Sequence, residues 1–170
     1  MASQTSVVKS VINGYYRFLQ VLVTALMGVM IVPVTLQIVS RYTGFIPRYI
    51  WTEEAARFCF IWIIMTGASI AVRDGTHFEV EVLPQPKSPR GQLIAQMIVI
   101  VGMMFMGLTF VYYGYGYAAF GYRQTSELTG INMVLIHGVY LMAGVSWTVF
   151  LAERAVNAFA RFRGGPHDTR

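Results

Sequence analysis

Between Leu19 and Ser40 the chain reads LQVLVTALMGVMIVPVTLQIVS, twenty-two residues without one charge. A run of this length matches the ~20 apolar residues that carry a helix through the ~30 Å hydrocarbon core of a bilayer. Three further stretches have the same character, so crossings are expected at about 19–40, 53–72, 93–120 and 131–152. In the second, only Phe58 to Val72 is free of charge, which requires Ala55 and Ala56 to extend the span and Arg57 to lie near the interface. Lipid offers no partner to an open N–H or C=O, so each crossing must be a helix. The predicted fold class is therefore all-α: one integral membrane domain, residues 1–170, with four transmembrane helices. Composition agrees, with 55% hydrophobic residues, 12% charged residues and a mean hydropathy of +0.53.

The net charge of +5 does not point to nucleic acid, because the basic residues edge the apolar runs and form no stripe with interleaved aromatics. They serve instead as anchors in the lipid bilayer and as topology signals. Lys9, Arg17, Arg73, Lys87, Arg90, Arg154, Arg161, Arg163 and Arg170 flank one side of the spans, and Arg41, Arg48, Arg57 and Arg123 the other. Nine against four predicts that both termini are cytoplasmic. No small-residue cleavage site is seen in MASQTSVVKSVINGYYRF, so the first span is expected to stay attached. Residues 160–170, ending in RGGPHDTR, are expected to form a mobile polar tail.

Chemistry inside the spans is sparse. A haem-carrying subunit wants two facing histidines on helices, and only His137 lies within a span. A proton-coupled exporter needs a carboxylate deep in a helix, yet no Asp or Glu is mid-span. No serine, cysteine, histidine and acid fall together, so no catalytic residue, enzyme activity or cofactor is assigned. Cys59, the one cysteine, reads as a small buried hydrophobe. His77, Glu79 and Glu81 alternate in THFEVEVLPQP and would share one face of an extended chain; a solvated face is preferred there, and no metal site is assigned. Phe110 to Tyr122, FVYYGYGYAAFGY, reads as an aromatic belt at headgroup level, with a ring stack for a sugar or quinone as the other reading. Gly67 and Ala71, and Gly102, Gly107, Gly114, Gly116, Gly121, Gly138 and Gly144, allow close helix approach, either inside the bundle or on a face kept flat for another protein.

Charge at the mouth of the second span is the remaining feature. Thr52 is a good N-cap, Glu53 and Glu54 fall in the first turn where the helix dipole favours negative charge, and Arg57 is placed to pair with either. A planar guanidinium held by carboxylates suits a fixed, partly buried contact. The order and spacing of Arg41, Tyr42, Trp51, Glu53, Glu54, Arg57, Trp62, Gly67, Arg73, Gly75 and His77 resemble the small (Q-type) membrane subunit of the tripartite ATP-independent periplasmic (TRAP) transporters. The motif-bearing part of the resemblance covers 41–83. The family's fourth helix often carries a proline, where this chain has Gly138 and Gly144.

The resemblance implies a small, non-catalytic subunit of a sodium-driven organic-acid transporter in the bacterial inner membrane. Its implied partners are a large TRAP membrane subunit, which it would brace, and, transiently, a periplasmic substrate-binding protein. On this reading Arg41, Trp51, Glu53, Glu54, Arg57, Trp62, Gly67, Arg73 and His77 form the partner-subunit interface or its supporting motif. The Glu53, Glu54 and Arg57 cluster would sit near the outer face, and Arg73 and His77 at the inner face. The alternative is a non-transporting anchor or assembly subunit of a membrane redox complex.

Overall fold

The computed structural model describes residues 2–43, 47, 49–75, 89–127 and 129–163. They form four helices: α1 (Ala2–Thr43), α2 (Trp51–Asp74), α3 (Pro89–Tyr122) and α4 (Val134–Arg163). Each is long and apolar enough to cross a membrane. The helices outrun the expected spans at most ends; α1 is 42 residues long and α4 is 30. At 1.5 Å per residue α1 is ~63 Å long, about twice the hydrocarbon thickness. Residues 160–163, expected in the polar tail, continue α4. Residues 164–170 lie outside the described residues.

Chain hydroxyls are kept out of lipid by local bonds. Thr24 donates to Gln20 O, Thr43 to Val39 O, Thr109 to Phe105 O and Thr148 to Gly144 O, all at 2.7–2.9 Å. Each is the carbonyl one turn back, the nearest acceptor when no water is at hand.

The helices pair as two antiparallel hairpins, α1 with α2 and α3 with α4, joined through α2 against α4. Of the eighteen most apolar residues in each span, 44% are buried in α4 but only 6% in α1. That contrast makes α4 the central helix. At the end where both termini lie (the terminal end), Ile12 and Leu19 of α1 meet Val72 of α2 and Phe150 and Leu151 of α4 in a small core. Tyr15 and Ser146 share a 2.7 Å hydrogen bond there.

The α3–α4 seam is cut by glycine. Gly107, Gly114 and Gly121, seven residues apart, face Trp147 and Thr148, Leu141, and His137 in turn. Seven residues make two turns of an α-helix, so the three notches stay on one side. Gly144 answers from α4: a Cβ there would stand 2.8 Å from Val111 N and 2.9 Å from Phe110 C, both backbone atoms. Other glycines expected to mediate close approach do not do so in this chain. A Cβ on Gly67, Gly102, Gly116 or Gly138 would meet nothing within 4 Å.

Two substitutions separate these classes. Gly144→Ala must push α3 off its seat and should destabilise the purified chain by about 1–3 kcal/mol, whereas Gly67→Ala should stay within ~0.5 kcal/mol of wild type. Thermal unfolding in one detergent reads both.

Candidate subunit interface

Helix α2 carries most of the residues singled out from sequence, and its neighbours divide them between two sides. The helix starts one residue before the expected cap. Ile50 holds the N-cap position in the αR conformation with no side-chain bond. Thr52, expected to cap, instead is buried and donates its hydroxyl to Tyr49 O at 2.7 Å, tying the preceding turn to the helix. Trp51 leans on Tyr49, with ring centroids 6.4 Å apart, and remains about half exposed.

One side of α2 is uncovered from Glu53 to Gly67. Glu53, Arg57, Phe60 and Ile64 are exposed, and Gly67, half-buried, follows with open space over its Cα. These positions recur every three or four residues and so form one stripe. Within it Arg57 Nη2 is 3.0 Å from Glu53 Oε1, with both side chains about two-thirds exposed (64% and 69%). The expected clamp of Arg57 by two carboxylates is not formed. Glu54, one residue and ~100° further round the helix, faces a pocket of about 390 Å³ lined also by Gln124, Thr125, Ser126, Glu127 and Met133.

The opposite side of α2 is polar and faces the bundle. Trp62 donates its indole N–H to Leu135 O of α4 at 2.8 Å. Ser69, fully buried, accepts an indole N–H from Trp147 of α4 at 3.1 Å and donates to Met65 O at 2.8 Å. Arg73 donates to Ile12 O at 2.8 Å and to Asn13 Oδ1, and lies over the rings of Tyr16 (4.4 Å) and Phe150 (5.5 Å). It therefore ties α1, α2 and α4 together at the terminal end.

The nine candidates are thus not one site. Arg41 is exposed in the last turn of α1 and makes no hydrogen bond or ion pair among the described residues. Trp51, Glu53, Glu54 and Arg57 share its end of the bundle, Trp62 and Gly67 are mid-helix on opposite sides, and Arg73 is at the terminal end. His77 lies outside the described residues, as do Glu79 and Glu81.

Two further supports stand at the far end, only the second of them overlooked from sequence. The first is His137, the one histidine within a span, which is 5% exposed, stacked on Tyr117 at 3.9 Å and seated against Gly121. The second is the link between α3 and α4. Thr125 and Asn132 form an antiparallel bridge, Gly130 takes φ +68°, and Asn132 accepts the Val134 N–H at 2.9 Å while donating to Tyr122 O at 3.0 Å. An asparagine just ahead of an apolar run is a helix-start signal. The aromatic run of α3 is exposed at Tyr112, Tyr113, Tyr115 and Tyr122 and borders a cleft of about 960 Å³.

Among the described residues there is no group of three or more His, Cys, Asp or Glu that could hold a metal. The architecture defines a class: a four-helix, multi-pass membrane protein whose central contacts are hydrogen bonds between helices. A family model described as tripartite ATP-independent periplasmic transporters, DctQ component, matches residues 30–161. A Haemophilus influenzae protein, whose provisional name is TRAP transporter small permease protein, is 26% identical over 157 residues, covering 92% of this chain and 97% of that one. The chain belongs to the DctQ-component family of TRAP transporters.

Trp62→Phe keeps the ring and removes the donor to Leu135 O. It should lower stability by about 1 kcal/mol without changing helix content, a difference read by thermal melting followed with circular dichroism. Arg57→Ala, which removes only an exposed i,i+4 pair, should cost less than ~0.5 kcal/mol in the same assay.

Proposed function

We propose that this chain is the small, non-catalytic subunit of a sodium-driven TRAP transporter for organic acids. It lies in the bacterial inner membrane with both termini cytoplasmic, packs against the large permease subunit and braces it. A periplasmic binding protein joins the assembly transiently. The family resemblance supports the solute class and coupling ion, and the exposed side of α2 supports the placement of the interface.

The uncovered stripe Glu53, Arg57, Phe60, Ile64 and Gly67 is the observation that carries the reading. Helices in lipid associate by close packing at small residues and by polar contacts, because apolar surface gains little from leaving lipid for protein. Gly67 supplies the close approach at one end of this stripe. The Glu53–Arg57 pair supplies a charged registration point at its outer end, where a rigid fork gives orientation as well as attraction. Opposite, the Trp62 and Ser69 bonds hold α2 against α4, so the stripe is presented by a fixed helix. The nine-to-four bias of basic residues supports the orientation.

Co-purification with the large subunit in mild detergent, followed by sodium-driven uptake in vesicles, tests the proposal. The chain alone should give no uptake, and uptake without a partner would end it. Arg57→Ala should reduce recovery of the complex more than Lys87→Ala does; equal recovery would return the Glu53–Arg57 pair to a local helix-end contact.

A further inference from the structure

At the terminal end α2 stops in a glycine cap. Gly75 takes φ +75°, its N–H bonds to Ala71 O at 3.0 Å, and it is buried. What buries it is the guanidinium of Arg154 from α4: a Cβ on Gly75 would stand 2.8 Å from Nη1 and 3.0 Å from Nη2. The absence of a side chain at residue 75 thus makes the seat in which Arg154 rests. Arg73 is close by, over the ring of Phe150, which is one turn before Arg154 on α4.

Arg73 has its partners in Ile12 and Asn13, but Arg154 has none among the described residues. It makes no hydrogen bond or ion pair with any described residue. The nearest carboxylate in sequence to the cap, Asp74, accepts the Tyr16 hydroxyl at 2.7 Å. Arg154 is half-buried and held against the Gly75 backbone, and its donors are unengaged among the described residues. A buried or half-buried charge in that condition is costly unless an anion meets it.

Depth identifies the anion. Arg154 lies twenty residues past Val134 and Arg73 twenty-two past Trp51, or ~30 and ~33 Å along their helices. Those lengths equal the hydrocarbon thickness, which sets both guanidiniums at the headgroup plane of the leaflet on the terminal side. The group found at that plane is a lipid phosphate, and the guanidinium fork matches phosphate with two parallel hydrogen bonds. Basic niches between helices at this level take anionic headgroups.

We infer that the niche of Gly75 and Arg154, beside Arg73, binds the phosphate of an anionic phospholipid. Arg154 is the ligand, Gly75 gives it its seat, and Arg73 adds charge while holding α1 in place. This assignment is separate from the partner stripe on the exposed side of α2.

The full-length chain, purified in mild detergent, is titrated with phosphatidylglycerol or phosphatidylcholine of matched acyl chains, and bound lipid is read by native mass spectrometry. Wild type should retain phosphatidylglycerol preferentially. Arg154→Gln should lower that retention about five-fold, Arg154→Lys should fall between, and Arg123→Gln, at the far end, should match wild type. Gly75→Ala, which displaces the guanidinium without removing its charge, is a second route to the same loss should Arg154→Gln prove unstable. Excess inorganic phosphate should leave the bound lipid in place. Equal retention of the two lipids, undiminished retention by Arg154→Gln and Gly75→Ala, or displacement by inorganic phosphate overturns the inference. So does a loss of co-purifying protein from Arg154→Gln with lipid unchanged, which would give the guanidinium to a partner's carboxylate.

Discussion

In hydrocarbon, apolar side chains gain nothing by leaving lipid for one another, so a bundle must be held where backbones come close or donors find acceptors. That constraint accounts for the placement of α4 at the centre. One side of it meets the glycine notches of α3, and the other receives α2 through two indole hydrogen bonds that run in opposite directions, Trp62 to Leu135 and Trp147 to Ser69. Because each helix donates once, neither can rotate about its axis without breaking both bonds. The exposed side of α2 is fixed in direction by the buried side.

The number and type of the helices were legible because apolar runs long enough to cross a bilayer admit no other regular structure. The Glu53–Arg57 pair was legible for a similar reason: four-residue spacing brings the two together on any helix. Which side of α2 meets the bundle was not. In a water-soluble helix the apolar stripe faces inward, but here Phe60 and Ile64 face out while Trp62, Thr66, Ser69 and Arg73 lie on the bundle side. Hydropathy cannot separate those faces when the outer medium is itself apolar.

The same gap explains why Glu54 and Thr52 behaved differently from expectation. Local rules treat adjacent glutamates as equivalent partners for Arg57, yet ~100° of helix rotation gives Glu54 to the link between α3 and α4, some seventy residues later. Thr52 would cap a helix that began after it, but the turn at Tyr49 and Ile50 is already helical, and the hydroxyl is drawn backward. Glycines show the limit from the other direction. Gly114 and Gly116 are two residues apart in one aromatic run, and only the first meets a neighbour.

Connectivity among the helices has one more implication. Helix α3 reaches the others chiefly through α4, and α1 chiefly through α2, so the order across the membrane is α1, α2, α4, α3. With α1 touching α4 only at the terminal end, the row has a front and a back and, among the described residues, encloses no lumen. Any route for a solute along it would need its other wall supplied from elsewhere.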